Sequence, residues 1–78
     1  MVQKKYDQAF ITAFDIDTSA LGSDLKYESI QEWDSIGHMT LIAGLEEGFG
    51  FTMETDNIVD FSSYKKGIEI LKKYKIQV

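Results

Sequence analysis

Three stretches of this chain place apolar residues three and four positions apart, and almost nothing in it alternates. Helices packed on one another are the architecture such a pattern can build. The first stripe runs Val2, Tyr6, Ala9, Phe10, Ala13, Phe14, predicting a helix from about Val2 to Phe14. The second begins at Ser35, with Ile36, Met39, Ile42, Leu45 and Phe49 along one face and Leu41 beside it. Asp34 or Ser35 supplies the N-cap oxygen, and Gly48-Phe49-Gly50 closes the helix, where glycine can turn left-handed. In the last stripe, Ser62 or Ser63 caps a run of Tyr64, Ile68, Leu71 and Tyr74 that reaches Lys75. Lys72, Lys73 and Lys75 lie at its C-terminal end, where the helix dipole favours positive charge. Asp56 to Asp60 is long enough for one helical turn, with Ile58 and Val59 as its apolar pair. The expectation is an all-α bundle of three main helices and one short third helix.

Between the first two stripes, Asp15 to Asp34 loses the rhythm and is rich in Asp, Ser, Thr and Gly. A connection of that length is functional or tied down. Leu21, Leu25, Tyr27, Ile30 and Trp33 are the candidates for tying it, with a short helical turn expected near Glu28 to Gln31.

At 78 residues the chain has room for one domain, so residues 1–78 are read as a single unit with a modest core. It contains no cysteine, which leaves no disulfide and no thiolate metal site and fits a reducing cytoplasm. No long apolar run follows the first residues, so neither a signal peptide nor membrane insertion is expected. Charge is informative in its placement. The net charge is -5 and all 8 cations are lysine, with no arginine. Tyr27 to Tyr64 contains no lysine but holds Glu28, Glu32, Asp34, Glu46, Glu47, Glu54, Asp56 and Asp60. Such a middle repels nucleic acid and attracts basic protein surfaces. Without arginine, the usual bidentate phosphate and guanine contacts are absent too, so no nucleic-acid partner is expected.

The chemistry-bearing stretch is Trp33-Asp34-Ser35-Ile36-Gly37-His38-Met39. An Asp-Ser pair by itself is an ordinary helix cap. Here it follows a long loop, begins an amphipathic helix and is followed without a gap by Leu45-Glu46-Glu47-Gly48-Phe49. In that arrangement the chain resembles the acyl carrier protein family, whose hallmark is Asp-Ser-Leu at the start of the second helix and Leu-Glu-x-x-Phe at its close. The likeness continues through Met53 to Phe61 and into Ser63-Tyr64. The Trp-Asp-Ser-x-Gly-His form is similar to stand-alone carriers outside the main fatty-acid pathway.

The resemblance implies a four-helix acyl-carrier-like bundle and a function. Ser35 would carry a covalent 4'-phosphopantetheine arm from coenzyme A, holding an acyl or aminoacyl group as a thioester. The thiol belongs to the arm, so the chain can do without cysteine. Asp34 would help position the magnesium used by the attaching transferase. A helix N-terminus also suits a phosphodiester through its free N–H groups and dipole. Expected partners are a phosphopantetheinyl transferase, an acyl or aminoacyl ligase and an acyltransferase or synthase, all meeting a monomer. Ile36, Met39, Ile58 and Val59 would form a weakly covered apolar patch between helices two and three. Glu46, Glu47, Asp56 and Asp60 would concentrate the attraction for basic partners. Where fatty-acid carriers have acids just after the serine, this chain has Gly37, His38 and Thr40. That points to a dedicated ligase and transferase.

Other readings are weaker. His38, the lone histidine, lacks partners for a hydrolase triad and reads as an exposed or packing residue. Glu46 and Glu47 diverge on a helix, so they do not form a carboxylate pair for acid-base work. Glu54, Asp56 and Asp60 lack the calcium-loop pattern. Trp33 is expected in the core beside the loop. No nucleophile, base and orienting residue converge, so an enzyme is not expected. The alternative to a carrier is an unmodified adaptor of the same fold, which would need no accessible serine at position 35.

Overall fold

Tyr6, Phe10 and Phe14 recur every fourth residue, and that spacing stacks three rings along one face of a helix. In the computed structural model, which describes residues 2–78, these three are buried on helix α1 (Val2–Phe14). The remaining α-helices are α2 (Ser35–Phe49), α3 (Thr55–Asp60) and α4 (Tyr64–Lys73), with a 3-10 turn at Thr18–Ala20. The chain is a small helical protein, and no strand occurs among the described residues. Around the α1 stripe gather Leu25, Trp33, Leu41, Ile42, Leu45, Met53, Phe61, Ile70 and Leu71, which form one core.

α2 is capped by Asp34, whose Oδ1 accepts the Gly37 N–H at 2.8 Å, and it ends at Gly50 with φ of 65°. Its buried residues are Leu41, Ile42 and Leu45. The stripe expected from the sequence therefore needs correction at its start, where Ile36 and Met39 are 78% and 55% exposed. Helical geometry gives the reason. Ile36 and Leu45 are nine residues apart, about two and a half turns, so they face opposite sides. Leu41, expected beside the stripe, lies within it.

α3 begins at Thr55, one residue before expectation, and buries no residue fully. Its first turn has no side-chain cap. Instead the Tyr74 hydroxyl accepts the Glu54 N–H at 2.9 Å and the Asn57 Nδ2–H at 2.7 Å. α4 is capped by Ser63, whose Oγ accepts the Lys66 N–H at 2.9 Å. It stops at Lys73 rather than Lys75, because Lys75 turns left-handed at φ 64° and the Ile76 N–H bonds back to the Leu71 carbonyl. Ile70 joins Leu71 in its buried face, whereas Tyr64 and Ile68 are half-buried. Gly67 is required there: a Cβ would collide with the Phe61 ring and the Tyr6 hydroxyl.

The long loop is held rather than free. Leu25 and Trp33 enter the core, and an antiparallel bridge joins Lys26 to Ser63. In it the Tyr27 N–H donates to the Ser62 carbonyl and the Tyr64 N–H to the Leu25 carbonyl, each at 2.8 Å. The helical turn expected near Glu28 to Gln31 is absent. Glu28 has φ of 65°, which breaks a right-handed turn, and its N–H donates to the Trp33 carbonyl at 2.9 Å. The loop's one helical turn is the 3-10 turn, capped by Asp17.

Candidate functional site

The site starts from Trp33, fully buried and packed edge-on against Phe10 and tilted against Phe14. With the indole anchored, Asp34 caps α2 and Ser35 becomes its first residue, exposed to solvent. Gly37 lets the loop return closely onto the helix, since any Cβ there would run into the Glu32 carbonyl. His38 joins three elements. Its Nδ1 accepts the Trp33 Nε1–H at 3.0 Å, and its Nε2 lies 2.8 Å from the Ile58 carbonyl on α3. Indole nitrogen only donates and a carbonyl only accepts, so both bonds form with a neutral ring protonated on Nε2. The imidazole lies nearly coplanar with the indole, at 16° and edge to edge with it, and meets Tyr27 and Phe61 edge-on.

Beside Ser35 opens a pocket of about 380 Å³, lined by Ser35, Tyr27, His38, Met39, Ile58, Val59, Phe61 and Ser62. Of the four apolar residues expected around the serine, the structure brings Met39, Ile58 and Val59 together on this pocket. Ile36 does not line it and projects into solvent. Val59 is 74% exposed, so the rim as well as the interior is apolar. Asp56 and Asp60 are exposed on α3.

Glu46 and Glu47 part company, as adjacent helical residues must. The Glu46 carboxylate is half-buried and accepts the Met53 N–H at 2.8 Å, holding the segment that leads into α3. Glu47 lines a second groove, of about 510 Å³, between α1 and α2, whose floor includes Ala9, Ala13, Gly44 and Gly48. That groove is larger than the pocket at Ser35, but it brings together no reactive cluster.

The perturbed ionisable groups lie on the α1–α4 side instead. The Tyr6 hydroxyl donates to the Tyr64 carbonyl at 2.5 Å, and burial, with Tyr64 and Asp7 nearby, raises its pKa. The Tyr64 hydroxyl donates to Asp7 Oδ1 at 2.5 Å, and its pKa is pushed up to about 12 by burial first and the Asp7 carboxylate second. Gln3 donates to both Tyr64 and Asp7. These bonds fasten α1 to α4.

Comparison with family models, curated proteins and solved structures found no match. Among the described residues no helix is long and apolar enough to cross a membrane. None of them form a group of three or more His, Asp or Glu side chains able to hold a metal ion. The sequence reading missed what Gly37 and His38 do. Their signal is present as a Trp-x-x-x-Gly-His spacing, but it becomes legible only once the loop is known to fold back on α2. Tyr27, Phe61 and Ser62 were likewise unassigned to the site, because the bridge between Lys26 and Ser63 brings two distant segments to it.

Proposed function

We propose that the chain is an acyl carrier protein of the stand-alone type, with the acyl-carrier-like arrangement of its helices, bearing 4'-phosphopantetheine on Ser35. One observation carries the reading: an exposed serine begins α2 at the rim of an apolar pocket formed with α3. The residues present fit the group. The α2 N-terminus favours a phosphodiester through its N–H groups and dipole, and Asp34, though it caps the helix through Oδ1, stands next to the serine. When bound, the group supplies the thiol on which an acyl or aminoacyl cargo is held. The chain's own part is to present Ser35 and to offer an apolar surface beside it.

A phosphopantetheinyl transferase would attach the arm, with Asp34 providing one ligand for its magnesium and the transferase and coenzyme A the others. An acyl or aminoacyl ligase would load it, and an acyltransferase or synthase would unload it. Asp56 and Asp60 are exposed on α3, whose Ile58 and Val59 line the pocket with Ser35, and suit basic partner surfaces, which such charges steer. The same reading places the protein in the cytoplasm as a monomer.

Incubation of the full chain with coenzyme A, magnesium and a broad-specificity transferase should add one arm by intact mass. Ser35→Ala should add none. Modification of the alanine variant, or failure of several transferases to load the unaltered chain, would overturn the reading and favour an unmodified adaptor.

A further inference from the structure

We infer that His38 is a specificity-determining residue that closes the floor of the Ser35 pocket and limits the cargo to short and medium apolar chains. The inference deepens the carrier reading and rests on it for the nature of the cargo, but its physical basis is independent of the arm.

The pocket opens beside Ser35 between Met39 of α2 and Ile58 and Val59 of α3. Its inner wall is the His38 imidazole with the Phe61 ring, whose centroids are 6.2 Å apart. On the core side of the imidazole, joined to it edge to edge through the indole N–H, is the fully buried Trp33, and beyond Trp33 are Phe10 and Phe14. A chain growing inward from Ser35 therefore meets His38 before it reaches the aromatic core. An aliphatic or aromatic side chain at that place could swing aside at small cost. His38 cannot, because both ring nitrogens are engaged, one by the Trp33 indole and one by the Ile58 carbonyl. Displacing it strands a donor in the core and an acceptor on the helix that forms the pocket's other wall, and unpaired buried polar groups are costly. The floor is held by hydrogen bonds rather than by packing.

The room available sets the limit. At roughly 30 Å³ for each water-sized group, the 380 Å³ pocket holds about a dozen such groups, counting the atoms that link the chain to residue 35. A decyl chain fills it, and a hexadecyl chain must leave carbons in water or push past His38.

The absence of cysteine makes a direct test possible. Ser35→Cys introduces the chain's one thiol, which n-alkyl methanethiosulfonates from ethyl to hexadecyl would convert to mixed disulfides, with methanesulfinate leaving. The melting temperature should climb from ethyl to decyl and stay level from there to hexadecyl. The Trp33 indole N–H resonance should hold its position across the series. In Ser35→Cys/His38→Ala the climb should continue to hexadecyl. A continued climb with His38 intact, no climb at any length, or a plateau unmoved by the His38 substitution would each overturn the inference. If the alanine variant does not fold, Ser35→Cys/His38→Phe, which keeps a ring but loses both bonds, is read in its place and should climb likewise. Loading of Ser35 from coenzyme A is a separate measurement, so failure of the carrier reading and failure of the floor are distinguished.

Discussion

The two sides of Trp33 are built on different principles. On one side Phe10 and Phe14 meet the indole and Tyr6 and Phe61 pack on Phe10 in turn, with ring centroids about 5 to 6 Å apart, and every one of them is buried. On the other, Ile36, Met39 and Val59 are apolar but exposed, and α3 buries no residue fully. The first side obtains stability from packing, which is dense and unforgiving. The second forgoes burial and is held by individual hydrogen bonds: His38 to Ile58, Glu46 to the Met53 N–H and Tyr74 to the start of α3. A small domain has little stability to spare, so apolar area left in water at one place implies a use for it there. The closed side keeps the chain folded, and on the carrier reading the open side is the surface left for cargo and partners.

The sharpest way to break that contrast is to empty the closed side. Phe10→Ala should cost about 3–5 kcal/mol by urea denaturation, enough to unfold much of a domain this size. A loss below about 1 kcal/mol would show that the ring cluster is not the principal source of stability.

Two glycines of α2 test the contrast inside one helix. Gly37→Ala drives a Cβ into the Glu32 carbonyl and should cost about 1–3 kcal/mol, because backbone rather than a flexible side chain must move. Gly44→Ala meets nothing within 4 Å and should stabilise by about 1 kcal/mol through helix propensity. Thermal melts of the two variants should shift in opposite directions, and the same sign for both would show that the loop yields.

Alkaline pH probes the fastening of α1 to α4. Both Tyr6 and Tyr64 hold their protons more tightly in the folded state than the ordinary tyrosine value of 10.0. Below pH 10 their contribution is fully present. Above it the unfolded chain releases protons that the folded chain keeps, so stability falls as pH rises through the Tyr64 value of about 12. Circular dichroism melts should decline from about pH 10 upward, and more gently for Tyr64→Phe, which removes one of the two titrating groups. An unchanged slope in that variant would assign the decline to other groups.

The smallest effect on stability belongs to the open side. Ile36→Ala should change the unfolding free energy by less than about 0.5 kcal/mol, since the side chain is 78% exposed. On the carrier reading, the rate of arm transfer to Ser35 should fall nonetheless. A large loss of stability, or an unaltered transfer rate, would mean that exposure at Ile36 does not signal an interface.

Helices were legible in the sequence because their signals are local. The Tyr6-Phe10-Phe14 spacing placed α1, the pairs Asp34-Ser35 and Ser62-Ser63 marked the starts of α2 and α4, and Gly48-Phe49-Gly50 marked the end of α2, the structure choosing Asp34, Ser63 and Gly50 among them. The place of Ser35 at the start of α2 was legible for the same reason, as a serine beside a cap between a long loop and an amphipathic run. Rotation about the helix axis was less so. Ile36 and Leu45 both fit a stripe drawn along α2, but which of them turns inward depends on where α1 and Trp33 lie.

What the tertiary structure alone decided is the meaning of the residues that touch across distance. Nothing in Glu28 to Gln31 announces that Glu28 turns left-handed, because the carbonyl that receives its N–H belongs to Trp33, itself anchored by α1. His38 reads as any polar residue on a helix until α3 sets the Ile58 carbonyl at one nitrogen and the loop sets the Trp33 indole at the other. A cap, a glycine end and an apolar period are written within a few residues, since backbone geometry and hydrogen-bond reach are short. A hydrogen bond between segments 20 residues apart exists only after packing has placed both ends, so the sequence carries its atoms but not its geometry.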